Sequence, residues 1–213
     1  MTRRTAIILL IVICAGALGL VAGRFLLRAP AVPTLPAPQA ITLLPSPRAL
    51  PAFQLQQAGG AVLTPATLQG HWTVVFLGFT HCPDVCPTTL AQLSAAQKQW
   101  AALPAATRPR VLFVSADPER DTPELVAQYA RSFHPDSLAA TAPVPVLEKF
   151  ARALSLVFMK VPGPSGAADD YSIDHSAALV LLDPQARMAG VVTPPFDIKG
   201  LADDLTTLTP ASP

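Results

Sequence analysis

The segment Gly78-Phe79-Thr80-His81-Cys82-Pro83-Asp84-Val85-Cys86-Pro87 sets two cysteines four positions apart, with an apolar run before them and an amphipathic run after. Both thiols therefore fall where a strand gives way to the N-terminus of a helix. There the unpaired N–H groups and the helix dipole favour anions, which predicts depressed thiol pKa values and thiolates ready to act as nucleophiles or ligands. The Cys-x3-Cys spacing separates the sulfurs by about one helical turn, wider than the Cys-x2-Cys of dedicated disulfide exchangers. A disulfide and a chelated metal both fit that spacing. A bridge closing so short a loop removes little unfolded-state entropy, so the purpose of the pair is chemical rather than structural.

Two thiolates alone leave a metal site incomplete, and four histidines are available to join them. His81 adjoins Cys82 but alternates to the other side if the strand continues that far; His71 precedes the strand, and His134 sits beside a proline at a helix end. His175 lies in Tyr171-Ser172-Ile173-Asp174-His175-Ser176, read as a loop feeding a strand that starts at Ala177. Such a loop comes beside the first helix when the two strands are central neighbours. A lone loop histidine is more often a surface residue, so the residues by themselves leave the third ligand open. Two thiolates and an imidazole suit Cu(I), and Cu(II) with an added weak ligand. Zinc competes, but it calls for a fourth donor that nothing in the sequence obviously supplies. Asp84 reads as a helix N-cap, and Asp117 and Asp121 as turn and cap residues.

The elements that position these groups follow from periodicity. Residues 72–79 form an apolar, β-branched run typical of a central strand, and Pro87 suits the first turn of a helix whose Leu90, Leu93, Ala96 and Trp100 share a face. A second strand is predicted over 110–115. Asp121-Thr122-Pro123-Glu124 starts another helix, with Leu125, Tyr129 and Phe133 inward. A hairpin around Gly59-Gly60, a short helix over 146–154, an extended stretch over 156–161, strands at 177–182 and 188–192 joined at Asp183-Pro184-Gln185, and a helix over 198–208 complete the pattern. That order predicts an α/β fold: a thioredoxin-like mixed sheet with helices on both faces.

Residues 6–23 carry no charge over eighteen positions, just enough to span a bilayer, with Arg3 and Arg4 before them. The expectation is a single-pass transmembrane helix in the cell (inner) membrane, N-terminus in the cytoplasm and C-terminal domain on the extracytoplasmic side. A cleaved signal peptide ending at Val21-Ala22-Gly23 is the rival reading. Cys14 follows Ile13, where lipid attachment calls for a small residue, and is read as a membrane-buried thiol. The prolines at 30, 33, 36, 38, 45, 47 and 51 mark an extended tether. The expected organisation is an anchor over 1–28, a tether over 29–51 and one domain over 52–213. With 15 Lys and Arg against 14 Asp and Glu, no global field advertises a nucleic acid or an acidic partner.

From about residue 53 to 208 the chain resembles the Sco/SenC copper chaperones of cytochrome c oxidase. The resemblance is carried by the Gly78-to-Pro87 segment, by Asp117-Pro118-Glu119-Arg120-Asp121-Thr122 and by Asp174-His175-Ser176, in the family's order and approximate spacing. It implies a metallochaperone rather than an enzyme, binding one copper ion as Cu(I) and/or Cu(II) through Cys82, Cys86 and His175. It further implies delivery of that copper to the site in cytochrome c oxidase subunit II, a redox-active Cys82–Cys86 pair, and another copper chaperone or a thiol reductase as further partner. The chain departs from the family at Leu138-Ala139-Ala140-Thr141-Ala142, where relatives carry a Gly-Leu-Thr-Gly-like turn, and in a 162–170 loop short of charge. The alternative function is a thiol-disulfide oxidoreductase that reduces the cysteines of the acceptor site, and a thioredoxin-like peroxidase is a third.

Overall fold

The computed structural model describes residues 3–26 and 37–209. They divide into two compact units, 1–35 and 36–213. In the first, α1 (Arg3–Leu26) is a helix of 24 residues that contains the uncharged run. Many of its side chains lie outside the description, and among the described residues no helix is long and apolar enough to cross a membrane. Residues 29–36 of the expected tether also lie outside the described residues.

The second unit contains, in chain order, β1 (Thr42–Arg48), β2 (Leu55–Gln56), β3 (Val62–Leu63), α2 (Pro65–Leu68), β4 (Thr73–Gly78), α3 (Val85–Trp100), β5 (Arg110–Ser115) and α4 (Pro123–Phe133). It continues with β6 (Leu138–Ala140), α5 (Val144–Ala153), β7 (Phe158–Pro162), β8 (Tyr171–His175), β9 (Leu179–Leu182), β10 (Met188–Val192) and α6 (Ile198–Leu208). Six strands make one sheet in the order β1-β10-β9-β4-β5-β6. Within it β4, β5 and β6 run parallel, while β9 is antiparallel to β4 and β10 to β9. This is the mixed sheet that the alternation of elements predicts.

All six residues of β4 are buried. Successive side chains leave a strand on opposite faces, so the sheet is covered on both. Leu90, Leu93, Ala96 and Trp100 of α3 are buried as their spacing requires, and the Trp100 indole donates to the Ala202 carbonyl of α6 at 3.1 Å. Helix α4 is rotated from expectation: Val126, Ala127 and Ala130 form the buried stripe, and Leu125, Tyr129 and Phe133 are only partly buried. Two alanines allow close approach to the sheet, and the larger side chains spread around the flanks.

Two strands escape the sequence pattern. Within the stretch read as tether, β1 pairs antiparallel with β10, with a register shift between Leu43 and Arg48. Pro45 and Pro47 are compatible with this because β1 is an edge strand, where a missing N–H costs no ladder bond. At the opposite edge, β6 contains only three residues, and two of them are alanines with weak strand preference. His175 differs too, since it ends strand β8 in a hairpin with β7 rather than lying in a loop.

Candidate metal centre

The site forms where β4 hands over to α3, at the carboxyl end of a central strand, the usual ligand position in open α/β sheets. Gly78 ends β4 and pairs with Ser115 of β5. A Cβ on Gly78 would meet Cys86 Sγ and Phe113 Cε2 at 2.8 Å each, so a glycine there is what lets the thiol seat against the strand end. The Cys82 amide donates to the Phe79 carbonyl at 3.4 Å, closing the turn that leads into the helix. Cys86 occupies the first turn of α3 and is fully buried, Cys82 precedes the helix and is partly exposed, and both are free thiols. The Cys86 amide is one of the donors a helix start leaves unpaired, and it bonds Cys82 Sγ at 3.3 Å.

His175 reaches this point from β8, its Nε2 3.6 Å from Cys86 Sγ. Its Nδ1 lies 3.1 Å from the Ser176 carbonyl, and a carbonyl only accepts. The proton therefore sits on Nδ1, and the Nε2 lone pair faces the thiol in the manner of a metal-binding histidine held by a backbone acceptor. The rings of Phe76 and Phe79 stand edge-on to the imidazole at 6.1 Å each. Burial lowers the imidazole pKa, keeping the ring neutral and able to donate its lone pair.

The thiol pKa departs from expectation at Cys86. Burial pushes it well above the ordinary thiol range, against a backbone hydrogen bond at Phe79 that acts to lower it. With Cys86 fully buried, desolvation of a thiolate outweighs the attraction of the helix N-terminus, so this thiol holds its proton until something positive replaces it. The structure thus brings Cys86 and His175 together and places Cys82 at the rim. The Cys82, Cys86 and His175 donors do not close into a compact trio: among the described residues, the set of three possible donors within 4.8 Å of one another is His81, Asp117 and Asp121. Enclosing one ion therefore requires the three donors to draw closer together.

The acidic set is already committed. Asp121 is fully buried and accepts from the Thr80 amide at 2.8 Å, the Thr80 hydroxyl at 2.5 Å and the Ser115 hydroxyl at 2.5 Å. It braces the loop that carries Cys82 and does not cap α4, whose cap is Thr122, accepting from the Leu125 amide. Asp117 accepts from Arg120 Nε at 2.5 Å and from the Tyr171 hydroxyl at 2.8 Å, and the Arg120 guanidinium stacks 3.7 Å over the Tyr171 ring. That cluster ties the 117–122 segment to the hairpin bearing His175. Asp84 stands at the N-cap position of α3 without a capping bond, its carboxylate instead 3.5 Å from the Thr88 hydroxyl. Its backbone, at φ −140° and ψ −66°, lies outside the extended conformation usual for an N-cap.

The other histidines are engaged elsewhere. His81 is half-exposed with Nδ1 3.4 Å from Asp121, His71 Nδ1 bonds the Arg108 carbonyl at 2.8 Å, and His134 Nδ1 accepts from the Asp136 amide at 3.2 Å. Sequence reasoning missed Tyr171 and Arg120 as supports of the histidine hairpin. Both lie inside motifs that were singled out, and the signal was an arginine and a tyrosine within reach of a buried acid.

The SCO1/SenC family model matches residues 43–209. A Stutzerimonas stutzeri protein is 34% identical over 163 residues, covering 76% of this chain and 77% of the relative. The mitochondrial SCO2 homolog of Bos taurus is 36% identical over 132 residues, 62% of this chain and 49% of the relative. The chain spans about half the length of the mitochondrial relatives it matches. Among solved structures, Arabidopsis thaliana ScoI with copper bound superposes with a TM-score of 0.67 at 31% identity, covering 74% of this chain and 96% of that one. Apo Sco1 of Thermus thermophilus gives 0.68 at 30% identity over 79% and 96%. With the thioredoxin-like sheet and the cysteine–histidine juxtaposition already in place, these matches show that the chain belongs to the SCO1/SenC family.

Proposed function

We propose that this protein is a membrane-anchored metallochaperone that holds one copper ion with Cys82, Cys86 and His175 and delivers it to the copper site of cytochrome c oxidase subunit II. The observation that carries the reading is the 3.6 Å approach of the His175 Nε2 lone pair to a buried helix-start thiol, with the second thiol at the exposed rim. Two soft sulfurs and an imidazole suit copper as cargo. Copper-bound structures of relatives from Arabidopsis thaliana and Bradyrhizobium japonicum support the same metal here. An acceptor thiolate can displace Cys82 first, because Cys82 is accessible, while Cys86 and His175 retain the ion until the second ligand exchange. Copper is thereby passed without being released to water.

The uncharged run over residues 6–23 supports an anchor within residues 1–28, and the prolines after it support a tether to a domain on the extracytoplasmic side of the cell membrane, less the part that β1 takes into the sheet. Another copper chaperone or a thiol reductase prepares the site, since copper loading requires both cysteines reduced. A second reading, thiol-disulfide exchange with the acceptor cysteines, is favoured by the partly exposed Cys82 sulfur lying beside Cys86 at the helix start, where it accepts from the Cys86 amide.

Transfer distinguishes the two. The full-length chain loaded with one Cu(I) and mixed with the reduced, copper-free soluble domain of oxidase subunit II is expected to yield its copper to that acceptor, read by metal analysis after separation. Retained copper, together with disulfide exchange against the oxidised acceptor, would replace delivery by the reductase reading.

A further inference from the structure

The chain from residue 48 to 56 lies along α5 in the opposite direction, and a contact at each end fixes the pair. At one end the Arg48 guanidinium donates to the Ala153 carbonyl at 2.7 Å, and at the other Gln56 and Thr141 exchange backbone hydrogen bonds at 2.7 and 3.0 Å. Between them the Phe53 and Phe150 rings meet edge to face at 4.9 Å and close the floor. Above that floor runs an open groove in two parts that share Ala52 and Lys149. The larger, of about 920 Å³, is walled by Leu55, Val62, Pro65 and Val146; the smaller, of about 500 Å³, by Arg48, Lys149 and Arg152. No carboxylate lines either part. On the α5 side the wall is one stripe at three-residue spacing, Pro143, Val146, Lys149 and Arg152, turning from apolar to basic over about 14 Å.

The charge at the basic end is not spent inside the protein. Glu148 pairs with Arg152 at 3.4 Å, but Arg48 gives its contacts to a carbonyl, a hydroxyl and a thioether, and Lys149 has no carboxylate partner among the described residues. Three cations against one acid therefore stand at the head of an apolar trough. That arrangement complements an acidic head group on a hydrocarbon chain. An extended peptide fits less well, because β2 is already paired with β3 on one edge and, at Gln56, with Thr141 on the other, so no ladder remains for a strand to join. A hydrocarbon chain asks for no hydrogen bonds.

We propose that this groove binds an acidic phospholipid of the bilayer, its phosphate held among Arg48, Lys149 and Arg152 and an acyl chain laid over Phe53 between residues 52–56 and α5. The domain thereby gains a membrane contact of its own, and none of the groove's walls includes a residue of the metal centre. The presence of a bilayer beside the domain rests on the reading of residues 1–28 as an anchor; the chemistry of the groove does not.

The full-length chain in phosphatidylcholine nanodiscs, doped with phosphatidylglycerol or phosphatidylcholine that carries a diazirine on its acyl chain, tests this by irradiation and mapping of the crosslinked peptides. The phosphatidylglycerol probe is expected to label residues 48–56 and 143–153 at least about tenfold more than the phosphatidylcholine probe, less so as salt is raised. Lys149→Gln combined with Arg152→Gln removes two exposed cations and is expected to bring that labelling down to the phosphatidylcholine level. Val62→Gln keeps the cations, makes the apolar wall polar and is expected to lower it as well. Both variants should melt and take up copper as the wild type does. Equal labelling of the groove by the two probes, or wild-type labelling in the doubly substituted chain, would overturn the proposal. Labelling confined to residues 6–23 would overturn it too and uphold the anchor, whereas labelling of the groove without residues 6–23 would refute the anchor and uphold the lipid site. A groove left unlabelled by either lipid but protected from hydrogen exchange by an acidic, apolar peptide would assign it to a protein partner instead.

Discussion

Replacing Cys86 with alanine is expected to abolish stoichiometric copper binding in a chain that still folds. Cys86 is the donor nearest His175 and the one that the strand end, the helix start and the Gly78 niche all serve to place. Loss of an outer partner of a metal ligand costs about 10- to 100-fold in affinity, and loss of a ligand itself costs more, so Cu(I) affinity should fall by at least about a thousandfold. The structural effect is small by comparison. A buried thiol replaced by a methyl leaves a cavity costing about 1 kcal/mol, or a loss of about 2–4 °C in melting temperature for a domain of this size. Competition with a Cu(I) chelator and thermal melting, made on the same samples, separate the two. Wild-type affinity in a folded variant would remove Cys86 from the site.

A second large effect is expected with pH. Burial holds the Cys86 proton well above the ordinary thiol range, so at neutral pH copper must expel it. Each proton displaced on binding makes apparent affinity fall about tenfold per pH unit as pH is lowered. The sign is fixed: acid competes with copper, and alkali favours it. From pH 8 to pH 6 the Cys86 proton alone lowers Cu(I) affinity by about a hundredfold. His175 adds no second competition over most of that window, because burial lowers its pKa and keeps it neutral past the point where an exposed imidazole protonates. A chelator titration across that range should thus show no break near the usual imidazole pKa. Affinity independent of pH would mean that the thiolate exists before the metal arrives.

The same thiol shows where sequence reasoning stops. The strand before Cys82 and the helix after Cys86 were legible because apolar runs and a 3.6-residue face declare themselves locally. A helix-start cysteine reads as acidic when only the dipole is in view, but burial depends on residues far away in sequence, and Gly78, Phe113 and His175 close over Cys86. The N-cap expected of Asp84 failed for a related reason, since the strand-to-helix turn fixes its backbone outside the geometry a cap needs. Asp121 looked like a cap by its place before Thr122-Pro123, yet the parallel register of Ser115 beside Gly78 draws it under the Thr80 loop. Edge strands β1 and β6 were invisible because prolines in one and alanines in the other suppress the local signal, and only pairing to the sheet makes them strands. The approach of His175 to the cysteines followed from topology together with the family resemblance, and its proton position became readable only from the Ser176 carbonyl.

The central claim is a single copper held by Cys82, Cys86 and His175, and X-ray absorption on the reduced full-length chain with one equivalent of Cu(I), beside His175→Ala, tests it most directly. The expected result is one copper per chain with two sulfur and one nitrogen neighbours, the nitrogen lost and both sulfurs kept in the variant. An unchanged nitrogen neighbour in His175→Ala, or no stoichiometric copper in a chain with its dithiol intact, would contradict it.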